Sequence, residues 1–86
     1  MIFKKSTHKN KKYMVFYNNK WIHFGDKNYQ QYFDSTPLKL YSNLNHLDPI
    51  RRYSYLSRSM NIRDKSGKLT YLDKNSPNYW SINYLW

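Results

Sequence analysis

Neither glutamate nor cysteine occurs in this chain of 86 residues, and glycine is confined to Gly25 and Gly67. Nor does any apolar run approach the roughly 20 residues that a membrane-spanning helix needs. Each absence excludes something. Without cysteine there is no disulfide framework and no thiolate zinc site, and an intracellular or intraviral setting is expected over a secreted one. Two isolated glycines cannot form a glycine-rich phosphate loop, and no nucleophile elbow is present. The five aspartates are too sparse for two-metal phosphodiester chemistry. Residues 1–12 are basic and polar, without the apolar stretch of a signal peptide, so a soluble, unprocessed chain without a membrane partner is expected. His8, His23 and His46 are widely spaced and lack a carboxylate cluster, which gives no metal ligands and calls for no cofactor. His46 stands near Asp48 and Arg51-Arg52, but Asp48 is accounted for as a helix cap. No residue is therefore assigned a catalytic role, and the chain is read as a non-enzyme without a small-molecule substrate.

What the chain does contain is cation and aromatic. Fifteen lysines and arginines face five acids, for a formal charge of +10, and seventeen aromatic residues are threaded among them. Such a chain repels its own copies and attracts polyanions. Its cations can release counterions from a phosphate backbone, and Tyr, Trp and Arg offer flat surfaces on which bases stack. Nucleic acid, DNA or RNA, is the partner this favours. A chain of this length buries only around 60 % of its unfolded surface and has room for one core. Tyr, Trp, Phe, Leu and Ile are too abundant for a disordered chain.

Residues 1–12 carry Lys4, Lys5, Lys9, Lys11 and Lys12 with little apolar content beyond Ile2 and Phe3, the pattern of a flexible basic arm. Such an arm either follows a phosphate backbone or is a solvated terminus. Residues 13–86 are expected to form a single α+β domain. Its clearest local feature is Asn18-Asn19, a pair that tolerates the positive φ of a tight hairpin turn between two β-branched and aromatic stretches. With those two as the turn, Tyr17 faces Lys20, Phe16 faces Trp21, Val15 faces Ile22, Met14 faces His23 and Tyr13 faces Phe24. Alternation puts Tyr13, Val15, Ile22 and Phe24 on a core face, and Met14, Phe16, Trp21 and His23 on a second one. The second face either packs under later elements, which is the expectation, or binds something flat.

Beyond Gly25, Asp26 is placed to cap a short turn containing Tyr29, Tyr32 and Phe33, which Ser35-Thr36-Pro37 breaks. Leu40, Tyr41, Leu44 and Leu47, within residues 38–47, then predict a short amphipathic helix beginning near Thr36. Asp48-Pro49 is a helix start, since Asp accepts from orphan amides and Pro suits the first position. That helix should reach Met60, with Ile50, Tyr53, Leu56 and Met60 packed and Arg51, Arg52, Tyr55 and Arg58 on a cationic far side. With so few acids to pair these guanidinium groups internally, an external anion is their natural partner. Residues 61–75 read as a loop with a short strand near Leu69–Leu72, and Ser76-Pro77 opens a last segment whose Tyr79, Trp80, Ile82, Tyr84, Leu85 and Trp86 should dock on the core. The expected architecture is an N-terminal β-hairpin packed against two or three short helices, with the aromatic C-terminus docked on the core.

The runs Ile22-His23-Phe24-Gly25-Asp26, Tyr29-Gln30-Gln31-Tyr32 and Asp34-Ser35-Thr36-Pro37-Leu38-Lys39-Leu40-Tyr41-Ser42 form an ordered series. It continues through His46 with Asp48, Arg51-Arg52, Tyr55, Arg58, and Tyr79-Trp80-Ser81 to Tyr84-Leu85-Trp86. Together these motifs resemble a family of small basic proteins of nucleocytoplasmic large DNA viruses, of the mimivirus and phycodnavirus kind, over residues 12–86. The family has no assigned biochemical function. Its commonest form has a histidine after the helix arginine where this chain has Ser59, so no role of that histidine carries over. The resemblance implies a viral setting, in the virion or in the viral factory of the host cytoplasm, and implies no active site.

Two functions follow as expectations. The first is non-enzymatic, largely sequence-independent nucleic-acid binding, with phosphate contacts from Lys4, Lys5, Lys9, Lys11, Lys12, Arg51, Arg52 and Arg58 and stacking surfaces at Trp21 and Tyr55. The second is a virion structural or adaptor protein that binds another viral protein through its aromatic surface.

Overall fold

In the computed structural model, which describes residues Met1–Trp86, Asn18 and Asn19 adopt φ of 54° and 60°. Both central turn residues are thus left-handed, the twist that matches flanking antiparallel strands. The strands are β2 (Lys11–Tyr17) and β3 (Lys20–Asp26), paired from Tyr13↔Phe24 to Tyr17↔Lys20 in the register the turn dictates. On the inner face Tyr13, Val15, Ile22 and Phe24 are buried, and Trp80 and Leu85 close over them. Burial of each such side chain contributes roughly 1.5–3 kcal/mol.

A third strand, β1 (Phe3–Lys5), lies antiparallel to β2 and completes a sheet in the order β1-β2-β3. Residues 1–12 therefore do not stand off as an arm. Phe3 is the reason: its ring meets those of Phe24, Trp80 and Tyr84 at centroid separations of 6.3, 6.1 and 4.8 Å, and Lys11 and Lys12 already belong to β2. Gly25 sits at φ 79°, and a Cβ there would lie 2.8 Å from Leu85 Cδ1 and 3.2 Å from Lys12 Cβ. Only glycine lets the end of the sheet approach the C-terminal segment so closely.

Both proline-marked helix starts form. In α1 (Pro49–Ser59), Asp48 accepts from the amides of Ile50 and Arg51; in α2 (Pro77–Leu85), Ser76 accepts from that of Asn78. The aromatic C-terminus docks as expected, Trp80 and Leu85 being core residues. The whole is an α+β fold of one antiparallel sheet and two helices.

Beyond the N-terminal strand, three further expectations differ. Residues 38–47 hold no α-helix, only a short 3₁₀ turn at Ser42–Leu44. Lys39 and Leu47 at φ 50° and 55° interrupt any helical path, and Leu38, Leu40 and Leu47 are exposed. The segment is held instead by buried polar side chains. Asp34 accepts from the Tyr13 hydroxyl, the Thr36 amide and hydroxyl and the Tyr41 amide. Gln31 donates to the Tyr41 carbonyl and Asn45 Oδ1, and accepts from Lys12 Nζ. Those bonds favour an irregular path over the helix that leucine spacing suggested. Near Leu69 there is a 3₁₀ turn, Thr70–Leu72, and a single bridge Arg63↔Leu69 instead of a strand.

The third difference concerns which side of α1 packs. Ile50 and Tyr53 are 77 % and 75 % exposed, while Tyr55 and Ser59 turn inward. Tyr55 stacks on Trp86 with ring centroids 4.0 Å apart and planes within 7°, and Arg52 Nε donates to the Trp86 carbonyl at 2.7 Å. A flat indole with a free carbonyl beside it suits a tyrosine and an arginine better than it suits isoleucine, and it sets the helix rotation.

Candidate nucleic-acid interface

Packing Tyr55 inward brings Arg51 and Arg58 to the mouth of a cleft of about 660 Å³ between the open end of the sheet, α1 and α2. The sheet supplies Lys11, Gly25 and Asp26; α1 supplies Ile50, Arg51, Ser54, Tyr55 and Arg58; α2 and its flank supply Asn78, Ser81, Leu85 and Trp86. Arg51 is held by Gln30, whose Oε1 accepts from its Nη1 at 2.8 Å. Burial pushes the Tyr55 hydroxyl above its ordinary pKa, opposed by the hydroxyls of Ser59 and Ser81 and the charge of Arg58. One acid, Asp26, stands on the rim, and its Oδ1 accepts the Asn28 amide.

The same satisfaction extends to every acid in the chain. Asp34, Asp48, Asp64 and Asp73 also accept from backbone amides, hydroxyls or an Asn amide within turns and caps. Lys12, Arg51, Arg52 and Arg63 bond backbone or side-chain amide oxygens, or the Trp86 backbone oxygen, and no lysine or arginine side chain is hydrogen-bonded to an aspartate. The aspartates shape the backbone, and none is bonded directly to a lysine or arginine head group. An uncompensated guanidinium facing solvent is what a phosphate contact needs.

Residues 1–59 match a family of unknown function (DUF5754). The chain belongs to that family. No curated protein and no solved structure matches it. The part matched to DUF5754 runs from β1 through α1 and so contains Lys11, Arg51, Tyr55 and Arg58, whereas the α2 wall of the cleft lies outside the match.

The residues proposed from sequence divide among several places. Lys11, Arg51, Arg58 and Tyr55 meet at the cleft. Lys4 and Trp21 share the outer face of the sheet, Lys4 Nζ lying 5.6 Å from the centroid of the Trp21 ring. Phe16 meets Trp21 edge-on at 5.2 Å, and both are more than a third exposed, so this second face is open instead of packed under a helix. His8 stacks on His23 at 3.4 Å on the same face, with Ser6 Oγ 2.7 Å from His23 Nδ1. Lys5 and Lys9 are exposed at and after the end of β1.

Arg52 points elsewhere, its guanidinium 4.7 Å from the Tyr32 ring centroid, beside a separate hollow with Leu56 and Ile82. It does not share a surface with Arg51 and Arg58. Lys12 is the plain correction: it is 2 % exposed, with its ammonium donating to the Tyr29 carbonyl at 2.8 Å and to Gln31 Oε1 at 2.6 Å. Burial lowers its pKa to about 8 against the pull of Asp26 and Asp34, and such a group cannot reach an external phosphate. Sequence reasoning passed over Ser54, Ser81, Asn78 and Trp86 as cleft residues. Trp86 carried a signal as terminal apolar bulk, but its stacking on Tyr55 comes from the tertiary path. No three His or Asp side chains gather into a metal-holding group.

Proposed function

We propose that this protein binds nucleic acid through its phosphate backbone, without catalysis and with little sequence preference. The observation that carries the reading is the cationic lining of the cleft, to which the sheet contributes Lys11 and α1 contributes Arg51 and Arg58, while every aspartate is occupied by uncharged donors. Lys4, Lys5 and Lys9 extend positive charge along the sheet, and Trp21 offers a stacking surface at its open face. No base-reading helix or ribbon is needed for such contacts, which position a strand without reading it. The proposed setting is a large DNA virus, in its particle or its factory, supported by the ordered motif resemblance.

Electrophoretic shift across a salt series, with single- and double-stranded DNA and RNA and heparin as polyanion control, tests the reading. Log Kobs should fall with log salt at a slope of about −0.9 per phosphate contact on duplex DNA and about −0.7 on single strands. Charge reversal at Lys11, Arg51 and Arg58 should abolish retention with the circular dichroism spectrum unchanged. Salt-insensitive retention, or none by the parent protein, would reject it.

A second reading is favoured by one observation: Phe16 and Trp21 leave an aromatic sheet face open, and Ile50 and Tyr53 protrude from α1. An adaptor that docks another virion protein would use such faces. In that case Trp21→Ala removes partner capture while nucleic acid competes poorly.

A further inference from the structure

The cleft differs from the open sheet face in being concave. At about 660 Å³ it falls within the roughly 300–1,000 Å³ typical of pockets that engulf a small ligand, and a duplex is too broad to enter it. A strand can reach inside only by presenting one unpaired unit, terminal or swung out of the stack. Its depth is set by Leu85, 1 % exposed, and by the stem of Lys12. Its lining carries three cations, Lys11, Arg51 and Arg58, against the single acid Asp26, together with the hydroxyl of Ser54 and the apolar side chains of Ile50 and Ile62.

We propose that the cleft between the Lys11–Asp26 end of the sheet, α1 and α2 is a pocket for a single unpaired nucleotide. Its phosphate is held by Lys11, Arg51 and Arg58, and its sugar and base lie against Ile50, Tyr55 and Ile62. The proposal rests on the nucleic-acid reading above and adds what form of strand is taken. Two features make the pocket preorganised. Gln30 holds Arg51 in place at 2.8 Å, and the Tyr55–Trp86 stack, with planes within 7°, fixes the aromatic wall before any ligand arrives. Groups already locked in position lose little freedom on binding.

Adenosine and uridine monophosphates, the parent nucleosides and inorganic phosphate are titrated into the 15N-labelled full chain at low salt. A labelled single strand and its blunt duplex are measured alongside. The mononucleotides should shift the Ser54, Tyr55 and Ser81 amides, the nucleosides should bind at least tenfold more weakly, and the single strand should bind at least tenfold more tightly than the duplex. Arg51→Gln and Arg58→Gln, both at exposed positions, should each weaken mononucleotide binding severalfold. Lys65→Gln, an exposed charge far along the 61–75 loop, controls for charge alone and should leave it unchanged. Shifts scattered over the surface, or equal loss with Lys65→Gln, overturn the pocket. Equal affinity for duplex and single strand, with steep salt dependence retained, overturns the pocket but leaves phosphate-backbone binding standing. Absence of binding by every nucleic acid and nucleotide removes both.

Discussion

The interior is divided between two kinds of cohesion. Under the sheet, six apolar side chains, Tyr13, Val15, Ile22, Phe24, Trp80 and Leu85, are buried; an equal number of polar ones, Lys12, Gln31, Asp34, Thr36, Ser59 and Ser81, are buried as well. The apolar half joins regular elements and tolerates any arrangement that removes its surface from water. The polar half works differently. Asp34 and Gln31 accept and donate at specific backbone groups of the irregular segment 27–47, so that segment has one conformation that satisfies them. Apolar burial secures the frame, and hydrogen bonds specify the path of the chain that regular structure does not cover.

Deleting from each half sets the largest test of that division. Trp80→Ala should cost about 3–5 kcal/mol as a cavity in the apolar half. Asp34→Ala leaves the Tyr13 hydroxyl, the Thr36 amide and hydroxyl and the Tyr41 amide without their acceptor, and should cost at least about 3 kcal/mol at roughly 1–3 kcal/mol per orphaned buried group. Chemical denaturation measures both. If the polar deletion costs under about 1 kcal/mol, the network is decoration and the apolar core alone holds the fold.

Gly25→Ala tests the seam between the sheet and α2. A β-carbon 2.8 Å from Leu85 Cδ1 at φ 79° should cost about 2 kcal/mol from strain and overpacking together, seen as a lower denaturation midpoint. A neutral result would mean that Leu85 yields freely.

Alkaline titration separates the halves by sign. Lys12, with its pKa lowered by burial to about 8 from 10.5, binds its proton less well folded than unfolded. Stability should therefore rise as pH climbs from about 8 toward 10. Tyr13 is pushed up to about 12, first by burial and then by its bond to Asp34, and burial also raises Tyr41, Tyr55 and Tyr84. Above pH 10 the unfolded chain loses those protons first, so stability should fall. Melting temperature against pH should thus pass through a maximum, and Lys12→Met should remove the rising limb while keeping the falling one. A monotonic fall in the parent protein from pH 8 onward would contradict the burial of Lys12.

The smallest effect is expected on the acid side. Burial is the first cause that lowers the pKa of both His23 and His46, and His46 Nδ1 accepts the Asp48 amide at 2.9 Å. The unfolded chain takes up protons below about 6.5 that the folded one resists, so stability should decline as pH falls through that value. His46→Phe should shallow the acid decline and change stability at neutral pH by less than about 1 kcal/mol, because loss of the Nδ1 acceptor is offset by removal of a buried Nε2 that has no partner. An unaltered acid profile in the variant would assign the decline to other groups.

Where a few neighbouring residues suffice, the sequence is legible. Asn18-Asn19 sets the hairpin twist and every cross-strand pair from Tyr13 to Phe24, and Asp48-Pro49 and Ser76-Pro77 mark both helix starts. The exposure of Arg51 and Arg58 follows from their place on the polar side of α1, but Tyr55, expected beside them as a free stacking surface, is turned inward onto Trp86. Elsewhere the local signal misleads: leucine spacing in residues 38–47 is overridden by Asp34 and Gln31, and the apolar arc of α1 by the Trp86 ring. Lys11 and Lys12 are neighbours of equal charge, yet one stands at the cleft rim and the other donates into the interior.

The sequence by itself determined the turn, the helix caps, the apolar inner face and the surplus of positive charge, since each depends on dihedral preference, alternation or composition over a short span. Only the tertiary structure decided which arginines converge, which lysine is buried and which helix face is free. Those outcomes depend on groups far apart in the chain, Tyr55 with Trp86, Lys12 with Gln31, and Gly25 with Leu85, whose meeting no local periodicity encodes.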